Sequence, residues 1–534
     1  MKPLFSHRKM ERTLVICLMV LVILFVSGLI RLSRELRIGK ELKEADKETT
    51  EAFLDDSTAF LPEYCNLNEK IPDITFTDES GVVRSVKQLE GNPAILTFWA
   101  SWCPDCQNEL SHLNEFLDLT KKYGDISYIL VNKTDNQKET KEKADTYISD
   151  HGIKLETTYD FGLSAYETLG IHAIPTTLFL DKQGVIRAWS NKPITKKSVF
   201  EGYLKVLKEG SGTITGDFVK NSLMDSKGGV HMTYDSIKGR TEKSDVLSET
   251  QGIMLWYALL KNDQQLFDKI YSYIQEVMRL NGFTAWKVSG DKPSDMNALV
   301  DDLRILKALY HAEGQWGGYD SKIISISDEI TRYGVKNGTY VDFYDRKYKQ
   351  YANRFTLCYG DLEAMEGLKD SDHNLLTPYE SAKNLILEGK ISHEFPLYYS
   401  WYHYKTNTYA KDDLNAAEAM LTLLHLSEAH LLNQDSIDWI KNQMKLGGVM
   451  ARYDVNGRVV DGYHYESTAV YALIALIAKN EGDKELQGMA LKKMEKMRII
   501  DTASPYYGAF GMEDGSGIHS FDQVMAMFAY ESTK

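Results

Sequence analysis

The chain has 534 residues, enough for three or four domain-sized pieces. Its 62 basic against 76 acidic residues leave a net charge of −14, which argues against a protein that tracks nucleic-acid phosphates. Hydrophobic content of 43% and charged content of 26% exclude wholesale disorder, and five cysteines in so long a chain exclude a disulfide-stapled mini-fold.

Residues 13–30 read TLVICLMVLVILFVSGLI, an uncharged run between Arg12 and Arg31 that is just long enough to span a bilayer as a helix. A cleaved signal peptide is the alternative, but its apolar run is usually shorter and no Ala-x-Ala site follows here. Cys17 lies too early in the run for lipid attachment. The segment therefore reads as an uncleaved signal anchor. Lys2, Arg8, Lys9 and Arg12 precede it, and Arg31, Arg34, Arg37, Lys40 and Lys43 follow it, so the positive-inside count leaves the orientation open. Residues 31–69, charged and with few apolar positions before Phe53, read as a helical or flexible stalk.

Next comes an apolar run of the buried-strand type, Ala94-Ile95-Leu96-Thr97-Phe98-Trp99, which leads into Ala100-Ser101-Trp102-Cys103-Pro104-Asp105-Cys106. A helix is expected over Gln107 to Leu117. A Cys-x-x-Cys between strand and helix has a physical purpose: the helix N-terminus favours a thiolate on Cys103, the nucleophile, while Cys106, one turn deeper, resolves a mixed disulfide. Downstream, Ile174-Pro175-Thr176 opens another strand, followed by an Asp181–Gly184 turn. Proline normally demotes a strand, and beside a thiol pair it points to a cis-proline at a peptide-binding edge. Residues 70–209 thus resemble an extracytoplasmic thiol–disulfide oxidoreductase of the thioredoxin superfamily, an α/β domain. The resemblance implies catalytic Cys103 and Cys106, substrate contact at Pro175, and as partner a thiol redox protein or a membrane electron donor. Half a zinc site is the alternative for a lone Cys-x-x-Cys, but no second pair lies near. Cys65 is either a further redox partner or a bystander.

Ser211-Gly212-Thr213-Ile214-Thr215-Gly216 reads as a linker by composition. From there to the end, apolar periodicity gives roughly a dozen helical segments, among them Ser248–Leu260, Gln265–Leu280, Ala298–Glu313, Asp413–Leu431, Ser467–Asn480 and Ser520–Tyr530. A carboxylate recurs near the start of every second one: Glu249, Asp302, Asp361, Asp413, Glu466 and Asp522, at intervals of 53, 59, 52, 53 and 56 residues. Acids favour helix starts in any protein, but the regular spacing predicts six stacked helix pairs closed into a toroid. Of 32 tyrosines, 25 follow residue 210, with Tyr398, Tyr399, Tyr402, Tyr404 and Tyr409 clustered around Trp401. Such rings suit stacking on sugars and equally suit packing between helices.

Two carboxylates stand out in this half. Ser248-Glu249-Thr250-Gln251 reads as a capping box, which would fix Glu249 at the first helical position facing the open end. The helix dipole alone would lower its pKa, so a general acid there needs burial or a second carboxylate to raise it again. Asp302 falls in the middle of the apolar face formed by Ala298, Leu299, Ile305, Leu306 and Leu309, with Asp301 at its edge and Arg304, Lys307 and His311 on the other face. A buried carboxylate without partner or purpose is costly, which makes Asp302 a site candidate; a structural hydrogen bond is the alternative.

These segments carry a second resemblance. Residues 216–534 resemble a diverged member of glycoside hydrolase family 8, an all-α (α/α)6 barrel, through Ser248–Met254, Asp301–Leu309, Gln315-Trp316-Gly317, Tyr465–Tyr471 and Ser520-Phe521-Asp522. The resemblance implies Glu249 as general acid and Asp302 as the residue that positions the sugar. Val300 replaces the first member of the family's Asp-x-Asp. His393-Glu394-Phe395 is the nearest counterpart of the base segment and points to Glu394 as base. Asp301, Tyr359, Trp401 and Glu466 complete the expected sugar-binding set. What this implies is glycosidic cleavage with inversion, without metal or cofactor. The expectation is a bacterial membrane protein, single-pass, with both domains outside and polysaccharide as substrate. The alternatives make the dithiol the main activity and the barrel a silent glycan-binding scaffold, or make both domains adaptors.

Overall fold

The computed structural model describes residues 67–234 and 244–534. The proposed anchor over 13–30, nearly all of the stalk, and Cys17 and Cys65 lie outside the described residues. No helix among the described residues is long and apolar enough to cross a membrane.

The first domain is a seven-stranded mixed sheet: β1 (Thr75–Thr77), β2 (Val83–Ser85), β3 (Ala94–Trp99), β4 (Ser127–Asn132), β5 (Glu156–Tyr159), β6 (Thr176–Leu180) and β7 (Ile186–Ser190), in the order β2-β1-β5-β4-β3-β6-β7. β3 is parallel to β4 and antiparallel to β6, and every residue of it is buried, as a strand covered on both faces requires. The helices are α1 (Pro104–Leu110), α2 (Leu113–Tyr123), α3 (Lys141–Asp150), α4 (Ser164–Leu169) and α5 (Lys197–Glu209). Ile95 and Trp99 pack with Phe116 and Phe200 from α2 and α5, whereas Leu96 and Phe98 pack with Ala165 and Leu169 from α4. This is the thioredoxin fold. It starts three residues earlier than the sequence suggests, since Leu67 is buried and Asn68 N–H donates to Ile186 O at 2.9 Å.

The expected linker is instead a helix, α6 (Ser211–Phe218). Its glycines signal close packing rather than looseness: a Cβ on Gly216 would stand 2.6 Å from the Tyr257 hydroxyl, and one on Gly212 would stand 3.0 Å from Tyr530 Cβ. Only Gly210 separates α5 from α6, and its φ of +85° makes the turn between them.

The second domain continues with α7 (Ser248–Leu260), α8 (Gln264–Tyr273), α9 (Leu299–Trp316), α10 (Asp320–Tyr333), α11 (Leu362–Ser371), α12 (Leu376–Glu388), α13 (Ala416–Glu428), α14 (Gln434–Lys445), α15 (Thr468–Asn480), α16 (Lys484–Glu495) and α17 (Ser520–Ser532). Among the described residues, α7, α9, α11, α13, α15 and α17 form an inner ring in which each packs on the next and α17 closes on α7. Each of the first five is followed by an outer helix, and α6 supplies the sixth by packing on α17. The inner helices explain their own composition. α15 (TAVYALIALIAKN) is apolar all round because it is buried on all sides, whereas outer α16 carries lysines.

The two domains touch along α5. Thr502 N–H and hydroxyl donate to Ser198 O at 3.2 and 3.0 Å, Lys196 pairs with Asp501 at 3.4 Å, and Ile500 and Tyr507 join the core around Phe200. Gly202 lies so close to the Ile500 carbonyl that no Cβ fits between them.

Candidate active sites

In the redox domain the fully buried β3 delivers the chain to a turn that starts α1. Cys103 is the N-cap of α1 and Pro104 its first residue, a position where the missing N–H is no loss. Cys106 N–H donates to Cys103 Sγ at 3.3 Å, the Cys103 thiol reaches Ile174 O at 3.5 Å, and Ile174–Pro175 is cis, as expected. Both thiols are free. Burial, then the hydrogen bond with Cys103, pushes the Cys106 thiol up, so it stays protonated until attack is under way. The turn is clamped by Glu139, which accepts from Ser101 N–H at 2.9 Å and Ser101 Oγ at 2.7 Å. Lys138 covers the Trp102 ring at 3.2 Å.

Sequence reading missed Glu109. It is buried on α1, three residues after Cys106 and hence on the same helix face, and accepts from Thr177 Oγ1 at 2.9 Å and Ile194 N–H at 3.0 Å. Burial raises its pKa to about 7. The helical spacing of a carboxylate behind the second cysteine was the available signal.

In the barrel the N-termini of the inner helices gather carboxylates. Glu249, half-buried in the first turn of α7, has its pKa raised to about 7, first by burial and then by the Asp301 carboxylate, against the pull of Arg304. Asp301, in the first turn of α9, accepts from Ser248 Oγ at 2.5 Å and from Arg304 Nη1 at 2.8 Å. Glu418, in the first turn of α13, is exposed, and its charge also raises Glu249. Tyr359, half-buried in the Leu357–Tyr359 turn, feels Asp301 and Glu418. Trp401 pairs in register with Thr356 beside that turn and carries the Arg354 guanidinium over its ring at 5.5 Å. Asp522, in the first turn of α17, adds its charge to the group while accepting from Ala469 N–H at 2.9 Å. A protonated acid and a second carboxylate on the facing wall, with aromatic rings nearby, can carry out acid–base chemistry on a sugar chain.

Other expectations need correction. Asp302 turns away from this group: its carboxylate accepts from Asn297 Nδ2 at 2.7 Å and lies among Glu329 and Arg279. Burial holds its pKa well above the carboxylate range, and its neighbour Asp301 is the carboxylate beside Ser248 and Glu249. Glu394 is fully exposed; Phe395 beside it is buried against Trp439 and Tyr453, which turns Glu394 to solvent. Glu466 is bound to Lys493 at 2.7 Å and to the Tyr471 hydroxyl, so its carboxylate is already occupied. The capping box is absent, because Leu247 is the N-cap, Ser248 bonds Asp301, and Gln251 bonds Val230 N–H and Gly228 O. Most of the tyrosine cluster is packing: Tyr398 is buried, and Tyr404 and Tyr409 donate to the Tyr340 and Leu385 carbonyls.

A dithiol at the start of a helix in a thioredoxin fold defines a thiol–disulfide oxidoreductase, and a ring of six helix pairs with an acid at its mouth defines a glycoside hydrolase. Residues 67–189 match the AhpC/TSA family, and residues 217–341 match the glycosyl hydrolases family 8. An alpha-amylase from Clostridium perfringens is 31% identical, with a TM-score of 0.56, over 61% of this chain and 97% of its own. "Putative lipoprotein YdaJ" of Bacillus subtilis is 28% identical over 58% of this chain and 84% of its own length. Thiol-disulfide oxidoreductase ResA of Bacillus anthracis is 28% identical over 27% of this chain and 79% of its own. The chain belongs to glycoside hydrolase family 8 through its barrel, fused to a thioredoxin-like redox domain.

Proposed function

We propose that the chain is a membrane-associated polysaccharide hydrolase in which Glu249 protonates the leaving oxygen and Glu418 activates water, with inversion at the anomeric carbon. The observation that carries this reading is the placement of these two carboxylates on α7 and α13, three steps apart in a ring of six and therefore on opposite walls. Opposite walls leave room for both a sugar and a water molecule, as inversion requires. The raised pKa of Glu249 keeps the proton in place near neutrality. Asp301, Tyr359 and Trp401 line the sugar path. Membrane association rests on the apolar run 13–30 and is supported by the lipoprotein name of YdaJ. Beside it, Cys103 attacks a protein disulfide, Cys106 resolves it, and the segment at Pro175 receives the peptide.

The test is a panel of starch, β-linked glucans, xylan, chitosan and bacterial exopolysaccharides. Glu249→Gln is expected to lose about 10²- to 10⁴-fold in rate on the cleaved polymer, and Glu418→Gln a comparable factor, while Glu394→Gln stays at the wild-type rate. Product of retained configuration, or full activity in Glu418→Gln, would remove Glu418 as base. No product from any polymer, with insulin reduction intact, would make the barrel a binding scaffold.

A further inference from the structure

Beneath the sugar path, the barrel axis holds a second polar group that the hydrolase reading does not use. Asp361, the N-cap of α11, and His425 and Glu428, in the last turn of α13, each offer a ligand atom, and the three atoms lie within 4.8 Å of one another. They border a cavity of about 60 Å³, together with Arg304, Lys307 and Trp256. His425 is 6% exposed, and its Nδ1 is buried without a hydrogen-bond partner. Its Nε2 stands 4.0 Å from Asp361 Oδ2.

Lys307 Nζ is the cation that touches this group, 2.8 Å from Glu428, 2.9 Å from Glu363 and 3.4 Å from Asp361. Arg304 is already bonded to Asp301 at 2.8 Å. One ammonium is thus shared among three carboxylates, so neither Asp361 nor Glu428 has a cation of its own.

We propose that Asp361, His425 and Glu428 bind one divalent metal ion of the zinc class. A triangle with no side above 4.8 Å puts its corners at most about 2.8 Å from a common centre, so a contraction of at most roughly 0.7 Å brings one nitrogen and two oxygens to zinc-bond length. The donor set of imidazole and carboxylates suits zinc or manganese better than calcium. Lys307 is long enough to move its ammonium wholly onto Glu363, whose carboxylate is half exposed. The cavity at that end, about 290 Å³ and lined by Glu363, Glu428, His311, His430 and Asn480, supplies the entry path. The ion ties α11 to α13 directly below Tyr359, so its role is to stiffen one wall of the sugar path.

The test uses the whole chain carrying Cys103→Ser and Cys106→Ser, which removes the competing dithiol, stripped by chelator and titrated with Zn²⁺. One ion per chain is expected, with a rise in Tm. His425→Ala and the isosteric Glu428→Gln should each bind at least about tenfold more weakly, and Lys307→Met more tightly because the competing ammonium is gone. Should His425→Ala fail to fold, Glu428→Gln carries the comparison. Absence of binding at tenfold excess Zn²⁺, or binding unchanged in Glu428→Gln, overturns the site.

Discussion

Glu249 serves as an acid only while it keeps its proton. Burial and the Asp301 carboxylate both favour the neutral form, so the proton leaves as the pH rises through about 7. Activity should therefore fall on the alkaline side with that midpoint. Asp301→Asn removes one raising charge and frees Arg304 to lower the pKa further, so the alkaline limb should move to lower pH in a kcat/KM profile; a limb that stays put would separate Asp301 from the acid. Glu109 obeys the same rule in the redox domain. Its folded pKa of about 7 lies above the ordinary 4.5, so the stability it permits is complete below 4.5 and is lost as the pH rises through 7. Its charge acts on the Cys106 thiol, which makes it the expected acceptor of that proton. Glu109→Gln should slow insulin reduction by about 10- to 100-fold and remove the rate dependence near pH 7. The different surroundings of Asp301 and Asp302 show why side-chain placement is hard to read from sequence. A wheel drawn with one apolar face assumes one buried side, but α9 is an inner helix with Arg304 and Lys307 buried as well. The face that looks solvent-directed is the one that lines the barrel axis.

At the scale of elements, the recurrence of acids every fifty-odd residues correctly marked the inner helices, because each pair repeats the same length of chain. The Cys-x-x-Cys and the cis-proline were equally legible, since their chemistry needs those residue types at fixed places. What spacing could not supply was which carboxylate faces the groove. Glu418 sits five residues after Asp413, the acid that met the repeat, and the barrel wall alone selects it. The element misread altogether was α6. Glycine and threonine weaken a lone helix, yet here glycine lets α6 lie against Tyr257 and α17. Gly216→Val should lower stability by about 1–3 kcal/mol or more through overpacking, seen as a lower Tm with the helix content retained. An unchanged Tm would mean that α6 packs loosely.

For the molecule as a whole, the boundary between the domains is a bonded surface rather than a tether. Gly202→Ala should force α5 away from Ile500 and separate one melting transition into two, measured by calorimetry; a single unchanged transition would show that the contact couples nothing. The exposed Lys196–Asp501 pair contributes little, so its removal should leave the melting profile as it is.

The helix α6 also decides how the protein can be cut. It stands ahead of the stretch that matches the hydrolase family, so a fragment begun at residue 217 contains the family signature yet carries eleven of the twelve barrel helices. The stripe of α17 around Met527 and Tyr530 would then meet water and offer itself to a second copy. Such a fragment should associate on a sizing column, whereas one begun at Ser211 should run as a single species. A cut at Gly210 keeps α6 with the barrel, but it also uncovers the redox core around Phe200 that Ile214, Ile500 and Tyr507 cover.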